Sequence, residues 1–175
     1  LEADASWPEL DSYLRTLVKS SELATAVLQF NRMDFRLPWL RAAFPDARIV
    51  HLWRDPRASW FSMIGHLPDD WRDDPLVAHV YDLLEWSFSL ARDLPFLADP
   101  AITSLYERHY LIWRLSKLMG ERVADCSVEY DAFGASGSAI RELESCLQLS
   151  AKAVETATRI ADCLLYTSPS PRDTL

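Results

Sequence analysis

The sequence predicts an α/β fold in which a parallel sheet is covered by helices on both faces. Three short, mostly apolar runs have the length of buried strands, at positions 25–30, 48–53 and 126–130. Helical patterns separate these runs, and strands that alternate with helices favour parallel pairing through right-handed crossovers. The chain has 175 residues, 49% of them hydrophobic, so it can form one domain with a core of its own.

Capping and proline signals predict the helices around these strands. Ser, Thr or Asp followed by Glu three positions later, or by Pro at once, is typical of a helix N-terminus. The helices predicted in this way begin at Ser6, Pro38, Asp55, Asp74 and Ser104, and an apolar pattern predicts another over 140–149. Gly120 is predicted to end the helix that begins at Ser104, because glycine is a common helix stop. We expect an acceptor pocket against Leu67 to Leu105, where the central helices would wall a crevice beyond the strand ends.

The segment from Phe44 to Ser62, FPDARIVHLWRDPRASWFS, predicts an anion-binding site. Its strand runs directly into a helix with Asp55 as N-cap and Pro56 in the first position. Such a junction aims backbone N–H groups and the positive end of the helix dipole beyond the strand tip. Guanidinium and hydroxyl groups at the same place suit a phosphate. The candidate ligands are Arg54, Arg57, Ser59 and Ser62.

The pattern F-P-D-A-x-I-V-H-L-x-R-D-P-R-x-x-W-x-S resembles the 3′-phosphate-binding segment of sulfotransferases that use 3′-phosphoadenosine 5′-phosphosulfate (PAPS). In that family an Arg at the strand end and a Ser eight residues later hold the donor's 3′-phosphate. The resemblance gives these roles to Arg54 and Ser62, with Arg57 and Ser59 as further candidates, and implies a P-loop-like three-layer fold without a metal. The alternative is an ordinary crossover in which Arg54 pairs with Asp55 or another neighbouring carboxylate.

Two further segments carry the resemblance less closely. Val128-Glu-Tyr-Asp131 lies where the family has Y-E-D-L, which makes Tyr130 the counterpart of a Tyr near the donor's adenine; a core aromatic is the alternative. The cytosolic branch has K-T-H at the tip of the preceding strand, where this chain has Gln29-Phe-Asn31. Asn31 and the following Arg32 are the candidate catalytic residues, to orient the substrate and face the sulfonate, or else they form a helix-capping loop. Neither is a base, so the general base stays open.

Both ends depart from the family pattern. The family's N-terminal G-x-x-R-S-G-T loop, which cradles the 5′-phosphosulfate, has no counterpart before the FPDA turn, and the first glycine is Gly65. We therefore expect 1–162 to be a partial sulfotransferase domain, incomplete at its N-terminus and inactive alone. Residues 163–175, which begin CLLYTSPSPRD, are similar to a translated sequencing-library adaptor. They are expected to be a non-native tail, with a Ser/Pro-rich disordered segment as the alternative.

The composition restricts the kinds of partner that the protein is expected to have. A net charge of −8 without a Lys/Arg run argues against nucleic acid. No apolar run approaches 18 residues and no signal peptide is visible, so a cytoplasmic protein without a membrane segment is expected. The three cysteines are scattered without C-x-x-C spacing, and the four histidines lack ligand spacing. These patterns suggest neither a disulfide framework nor a metal site, and each histidine is expected to be packed or on the surface.

The resemblance implies transfer of a sulfonate group from PAPS to a hydroxyl or amine acceptor, either a small molecule or a glycan. A catalytically inactive sulfotransferase-like protein is the first alternative, binding a partner through an exposed patch drawn from Trp53, Trp60, Trp71, Trp86 and Trp113. A P-loop-related nucleotide kinase is the second, although it would need a Walker-type G-K-[ST], which the 44–62 segment lacks. The oligomeric state stays open.

Overall fold

The computed structural model describes residues 6–21, 25–64, 82–102, 104–135 and 138–155. Two strands, β1 (Val50–Trp53) and β2 (Cys126–Glu129), form its sheet. The helices are α1 (Pro8–Ser20), α2 (Leu37–Ala43), α3 (Pro56–Ile64), α4 (Asp82–Leu90), α5 (Leu105–Val123), α6 (Ala132–Ala135) and α7 (Ser138–Leu147). Short 3-10 turns cover Asp34–Arg36 and Pro95–Ala98.

The two strands pair in parallel, with Val50 opposite Cys126 and Trp53 opposite Glu129. Helices lie on both faces of this pair, since alternate residues of a strand point to opposite sides. On one face His51 packs against Gly120 of α5. On the other face Val128 is fully buried in a cluster with Ala139 of α7. The predicted α/β fold with a parallel, helix-covered sheet is confirmed.

The predicted strand over 25–30 is wrong. Residues 26–30 have no regular secondary structure, and Val27 is 89% exposed. An apolar run forms a strand only where another strand offers its edge for hydrogen bonding. In the described ranges the sheet contains β1 and β2 alone, so 26–30 has no ladder there.

Several helix ends differ from the prediction. Helix α1 begins at Pro8, and its N-cap is Trp7, so Ser6 does not cap it. Ser104 does cap α5, where its Oγ accepts a hydrogen bond from the Glu107 N–H at 3.4 Å. That helix continues past Gly120 to Val123. Three predictions lie outside the described residues. They are the helix start at Asp74, the part of the expected pocket wall that precedes α4, and the expected tail at 163–175.

The expectation that the cysteines form no disulfide is wrong. Cys126 at the start of β2 is joined to Cys146 of α7. The two residues are 20 positions apart, and their closeness follows from the packing of α7 over β2. A disulfide of this kind persists in oxidising surroundings, so it gives no support to the expectation of a cytoplasmic protein.

Asp125, directly before β2, ties the sheet to α2. Its Oδ2 accepts hydrogen bonds of 2.7 Å from both the Arg41 guanidinium and the Ile49 N–H, and its Oδ1 lies 3.4 Å from Arg48. Burial by itself would raise the pKa of Asp125, but the bonds from Arg41 and Ile49 outweigh it and hold the pKa below its ordinary value. The ionised carboxylate therefore fixes the entry of both strands.

Replacing Asp125 with Ala should destabilise the fold by about 1–3 kcal/mol, because the Ile49 N–H and the Arg41 guanidinium lose their acceptor. Urea unfolding at neutral pH measures this loss. Asp11→Ala is the matched control, since the Asp11–Arg15 pair of 2.8 Å is an exposed contact within α1 and contributes little. Equal losses in the two variants would contradict the assigned role of Asp125.

Candidate functional site

The junction between β1 and α3 has the predicted cap. The Asp55 carboxylate accepts hydrogen bonds from the N–H groups of Arg57, at 3.0 Å, and Ala58, at 2.9 Å, and Pro56 is the first residue of α3. These two N–H groups are therefore engaged by the chain itself, contrary to the expectation that they point free at a ligand. An anion at this junction would be held mainly by side chains.

A cavity of about 270 Å³ opens beside the carboxyl end of β1. Residues from the turn after 30, β1, α3, α4 and α5 line it. Four of the predicted site residues come together in this lining, namely Asn31, Arg54, Ser59 and Ser62. The other three, Arg32, Arg57 and Tyr130, are exposed and lie outside it.

Arg54 is held in place from three directions. Its Nε lies 3.3 Å from Asp131 Oδ1, and its guanidinium carbon lies 5.4 Å from the centre of the Tyr130 ring. Its backbone carbonyl accepts a 2.7 Å hydrogen bond from the Trp113 indole N–H. Arg54 thus pairs with a neighbouring carboxylate, as the alternative interpretation expected, and also lines the cavity. Tyr130 is 52% exposed, so it is not a core aromatic.

Ser59 and Ser62 differ in their surroundings. The Ser59 hydroxyl donates to the Pro56 carbonyl at 3.0 Å and lies 3.1 Å from His109 Nε2. The same His109 nitrogen lies 3.1 Å from the Pro56 carbonyl. Ser62, one turn further along α3, is exposed at the cavity. Ser59 is therefore bound into the protein, whereas Ser62 faces the open space.

Two histidines of the lining were not assigned to the site from sequence. His51 and His109 are both buried, and both line the cavity. Burial lowers the pKa of His109, and the hydrogen bond to Pro56 only partly opposes this. Strand alternation places His51 on the same side of the sheet as Trp53, but only packing shows that this side borders a cavity.

His51 is fixed by contacts on each side. Its Nδ1 lies 2.9 Å from the Ser127 hydroxyl, and its Nε2 lies 3.9 Å from Asp34 Oδ1. Burial lowers its pKa; Asp34 and Glu121 act in the opposite direction, and Lys117 adds to the lowering. A Cβ built on Gly120 would lie 2.2 Å from the ring. The glycine inside α5 therefore provides the space that the ring occupies.

Lys117 brings a second cation to the lining. Its ammonium lies 3.9 Å from the centre of the Trp53 ring and pairs with the Glu121 carboxylate one turn along α5. An ammonium over an indole face is attracted by the ring's electrons. The lining thus combines Arg54 and Lys117 with apolar surface from the neighbouring tryptophans.

Neither a metal site nor a membrane-spanning helix is present in the described ranges. There, no group of three or more His, Cys, Asp or Glu side chains could hold a metal ion. None of the helices in the same ranges combines the length and the apolar character needed to cross a membrane.

The family model for the sulfotransferase family matches residues 6–111, which is more than half of the chain. The protein therefore belongs to the sulfotransferase family. The match includes β1, α3 and His109, and it ends before Lys117, β2 and Tyr130. No curated protein and no solved structure gives a significant match.

Replacing Gly120 with Ala should destabilise the protein by about 1–3 kcal/mol, because the added methyl group overlaps the His51 ring and both are enclosed. Thermal or urea unfolding measures the change. In a His51→Ala background the same substitution should instead be neutral or slightly stabilising, since alanine favours helix. An equal cost in both backgrounds would show that His51 is not the residue that Gly120 accommodates.

Stability should fall as the pH drops below about 6.5, the ordinary histidine pKa. The buried His109 stays neutral in the folded protein because its pKa is lowered, whereas the unfolded chain takes up a proton. Urea unfolding at about pH 7.5 and about pH 5.5 measures the difference. His109→Gln, which cannot titrate, should show a smaller difference even if it is less stable throughout. If the stability of His109→Gln changed with pH as much as that of the unsubstituted protein, His109 would not be the source of the pH dependence.

Proposed function

We propose that this protein transfers a sulfonate group from PAPS to a hydroxyl or amine acceptor, and that the cavity beside β1 is its site. One observation carries the proposal. Arg54 and Ser62, the two residues that the 44–62 segment assigns to the 3′-phosphate, line one cavity at the start of α3. Both lie within the residues that match the sulfotransferase family.

The donor would be held chiefly by side chains. The Arg54 guanidinium is oriented by Asp131 and by the Tyr130 ring, so little of its freedom remains to be lost on binding. A guanidinium gives charge-assisted hydrogen bonds to a phosphate, and the exposed Ser62 hydroxyl adds a neutral one. Because Asp55 already engages the N–H groups of Arg57 and Ala58, selectivity for the 3′-phosphate should depend on Arg54.

The sulfonate step needs positioning and positive charge. As sulfur moves from the bridging phosphate oxygen to the acceptor, negative charge grows on the leaving oxygen, and fixed cations stabilise it. Among the described residues of the lining, Lys117 is the cation left for this role, since Arg54 is assigned to the 3′-phosphate. Asn31, also in the lining, would orient the acceptor by hydrogen bonding, and Arg32 beside it would add positive charge near the entrance.

The acceptor would be a small molecule with an apolar part. Trp53, Trp86 and Trp113 line the cavity together with Met63 and Ile112. Surfaces of this kind bury the apolar body of a ligand while a few polar groups orient it. Trp86, on α4, is the described part of the pocket wall expected between Leu67 and Leu105.

The inactive binding protein is the weaker interpretation. It requires an exposed tryptophan patch, but Trp60 is buried in the core, and Trp53, Trp86 and Trp113 are half-buried. Trp71 lies outside the described residues. Of these five tryptophans, Trp53, Trp86 and Trp113 line the cavity, and Trp60 packs against the ring of His109 behind it.

Calorimetric titration of the full-length protein with 3′-phosphoadenosine 5′-phosphate, the product of the donor, tests the proposal, since residues 1–162 are expected to be inactive alone. Arg54→Ala should weaken binding by about 1.5–3 kcal/mol, roughly ten- to a hundredfold, because a charge-assisted contact is lost. The same variant should bind adenosine 5′-phosphate, which lacks the 3′-phosphate, almost as the unsubstituted protein does.

Arg48→Ala is the matched control, because it removes the same charge before the opposite end of β1, where Arg48 lies 3.4 Å from Asp125. It should leave both affinities unchanged. Equal weakening of the two nucleotides by Arg54→Ala would refute the assignment of Arg54. A full-length protein that binds neither nucleotide, and moves no labelled sulfate from PAPS, would refute the proposed function itself.

A further inference from the structure

The transfer reaction needs a group that takes the proton from the acceptor hydroxyl, and few of the described residues that line the cavity could do so. His109 directs its Nε2 at the Pro56 carbonyl and Ser59. Lys117 directs its ammonium at the Glu121 carboxylate and the face of Trp53. A general base works best when its basicity lies near the operating pH, so the imidazole of His51 suits the task better than the Asp34 carboxylate.

We propose that His51 is the general base of the sulfonate transfer and that Ser127 and Asp34 prepare it for this role. The inference rests on the proposed function. It assigns a catalytic role to a residue that the sequence pattern treats as a packed strand position.

The contacts of the ring separate its two nitrogens. Nδ1 lies 2.9 Å from the Ser127 hydroxyl, which can accept its hydrogen. With the proton on Nδ1, the lone pair of Nε2 is left to receive a proton from the substrate. Nε2 lies 3.9 Å from Asp34 Oδ1, and that carboxylate stabilises the imidazolium once it forms.

The surroundings also keep the resting imidazole neutral. His51 is only 7% exposed, and burial disfavours its charged form. The charged groups that face it are Asp34 from the first 3-10 turn and Lys117 and Glu121 from α5. Gly120 leaves the space that the ring occupies, and a side chain at this position would displace it. A neutral imidazole is the form that a base requires before the reaction.

Proton transfer to His51 accompanies the transfer of the sulfonate group. The acceptor O–H bond breaks and its proton passes to His51 Nε2, while the acceptor oxygen forms a bond to sulfur. The bond between sulfur and the bridging phosphate oxygen breaks, and 3′-phosphoadenosine 5′-phosphate leaves with that electron pair. His51 returns its proton to solvent once the products have gone.

Two acceptors of different acidity test the role. Phenol is protonated at neutral pH, whereas p-nitrophenol is largely ionised in mildly alkaline buffer and needs no base. With labelled PAPS, His51→Gln should slow transfer to phenol by about a hundred- to ten-thousandfold and transfer to p-nitrophenol by less than about tenfold. The rise of the phenol rate with pH should disappear in the variant. Equal slowing with both acceptors, or an unchanged phenol rate, would overturn the role of His51.

Binding separates this inference from the proposed function. His51→Gln should bind 3′-phosphoadenosine 5′-phosphate as the unsubstituted protein does, since donor recognition lies with Arg54 and Ser62. If His51→Gln fails to fold, Ser127→Ala replaces it and should slow transfer to phenol more than to p-nitrophenol. A full-length, unsubstituted protein that binds no donor and transfers no sulfate overturns the proposed function, whereas His51→Gln or Ser127→Ala variants with unchanged transfer to phenol overturn only the role of His51 as base.

If the unsubstituted protein sulfates neither phenol nor p-nitrophenol, nitrogen-15 NMR tests the protonation state of His51. The His51 signals should show a protonated Nδ1 and an unprotonated Nε2 at neutral pH, and Ser127→Ala should disturb this preference. A proton on Nε2 would overturn the proposal, because that nitrogen could not then accept one from a substrate.

Discussion

The parallel pairing of β1 with β2 in a single register is the constraint on which the site depends. It sets His51 opposite Ser127 and Trp53 opposite Glu129, and the Tyr130 N–H extends the ladder with a 2.7 Å bond to the Trp53 carbonyl. Through this register His51 acquires its Nδ1 partner from a strand that is remote in sequence. A slip by one residue would turn every side chain of β1 to the other face and take His51 out of the cavity.

Helix α5 packs against β1 and completes the site. It approaches the sheet closely at Gly120, where the absent side chain leaves room for His51. Two turns earlier, the Trp113 indole donates to the Arg54 carbonyl and so fixes the point at which β1 leaves the sheet. Between these contacts Lys117 faces Trp53. One helix face therefore supports the strand, positions its last residue and supplies a cation to the lining.

Features that depend on neighbours along the chain could be predicted from sequence. The Asp55 cap, the Ser104 cap and the strand ending at Trp53 are of this kind, and so is the joint arrival of Arg54 and Ser62 at one cavity. Features created by packing could not be predicted from local sequence. The Cys126–Cys146 disulfide and the contact between His51 Nδ1 and the Ser127 hydroxyl join elements that only the folded chain brings together.

The strand prediction over 25–30 is wrong for the same reason. An apolar run carries no information about whether another strand lies beside it. Val27, exposed to solvent, shows the result. Boundaries that tertiary contacts decide also differ, as at Gly120. A glycine is a helix stop by local preference, but here the helix continues to Val123, and Gly120 leaves the space that His51 fills. Sequence therefore locates chemistry well where one segment contains it, and poorly where two segments must meet.

The two interpretations of Arg54 that the sequence left open are compatible. Its ion pair with Asp131 is partly exposed, and such a pair adds little to stability because water solvates both charges. Its effect is instead on geometry, since Nε bound to Asp131 and the guanidinium carbon over Tyr130 fix the plane of the group. A planar group held in this way meets a phosphate with its orientation already set. The neighbouring carboxylate thus sets the orientation of Arg54, and under the proposed function selectivity for a phosphate would follow from that orientation as much as from the charge.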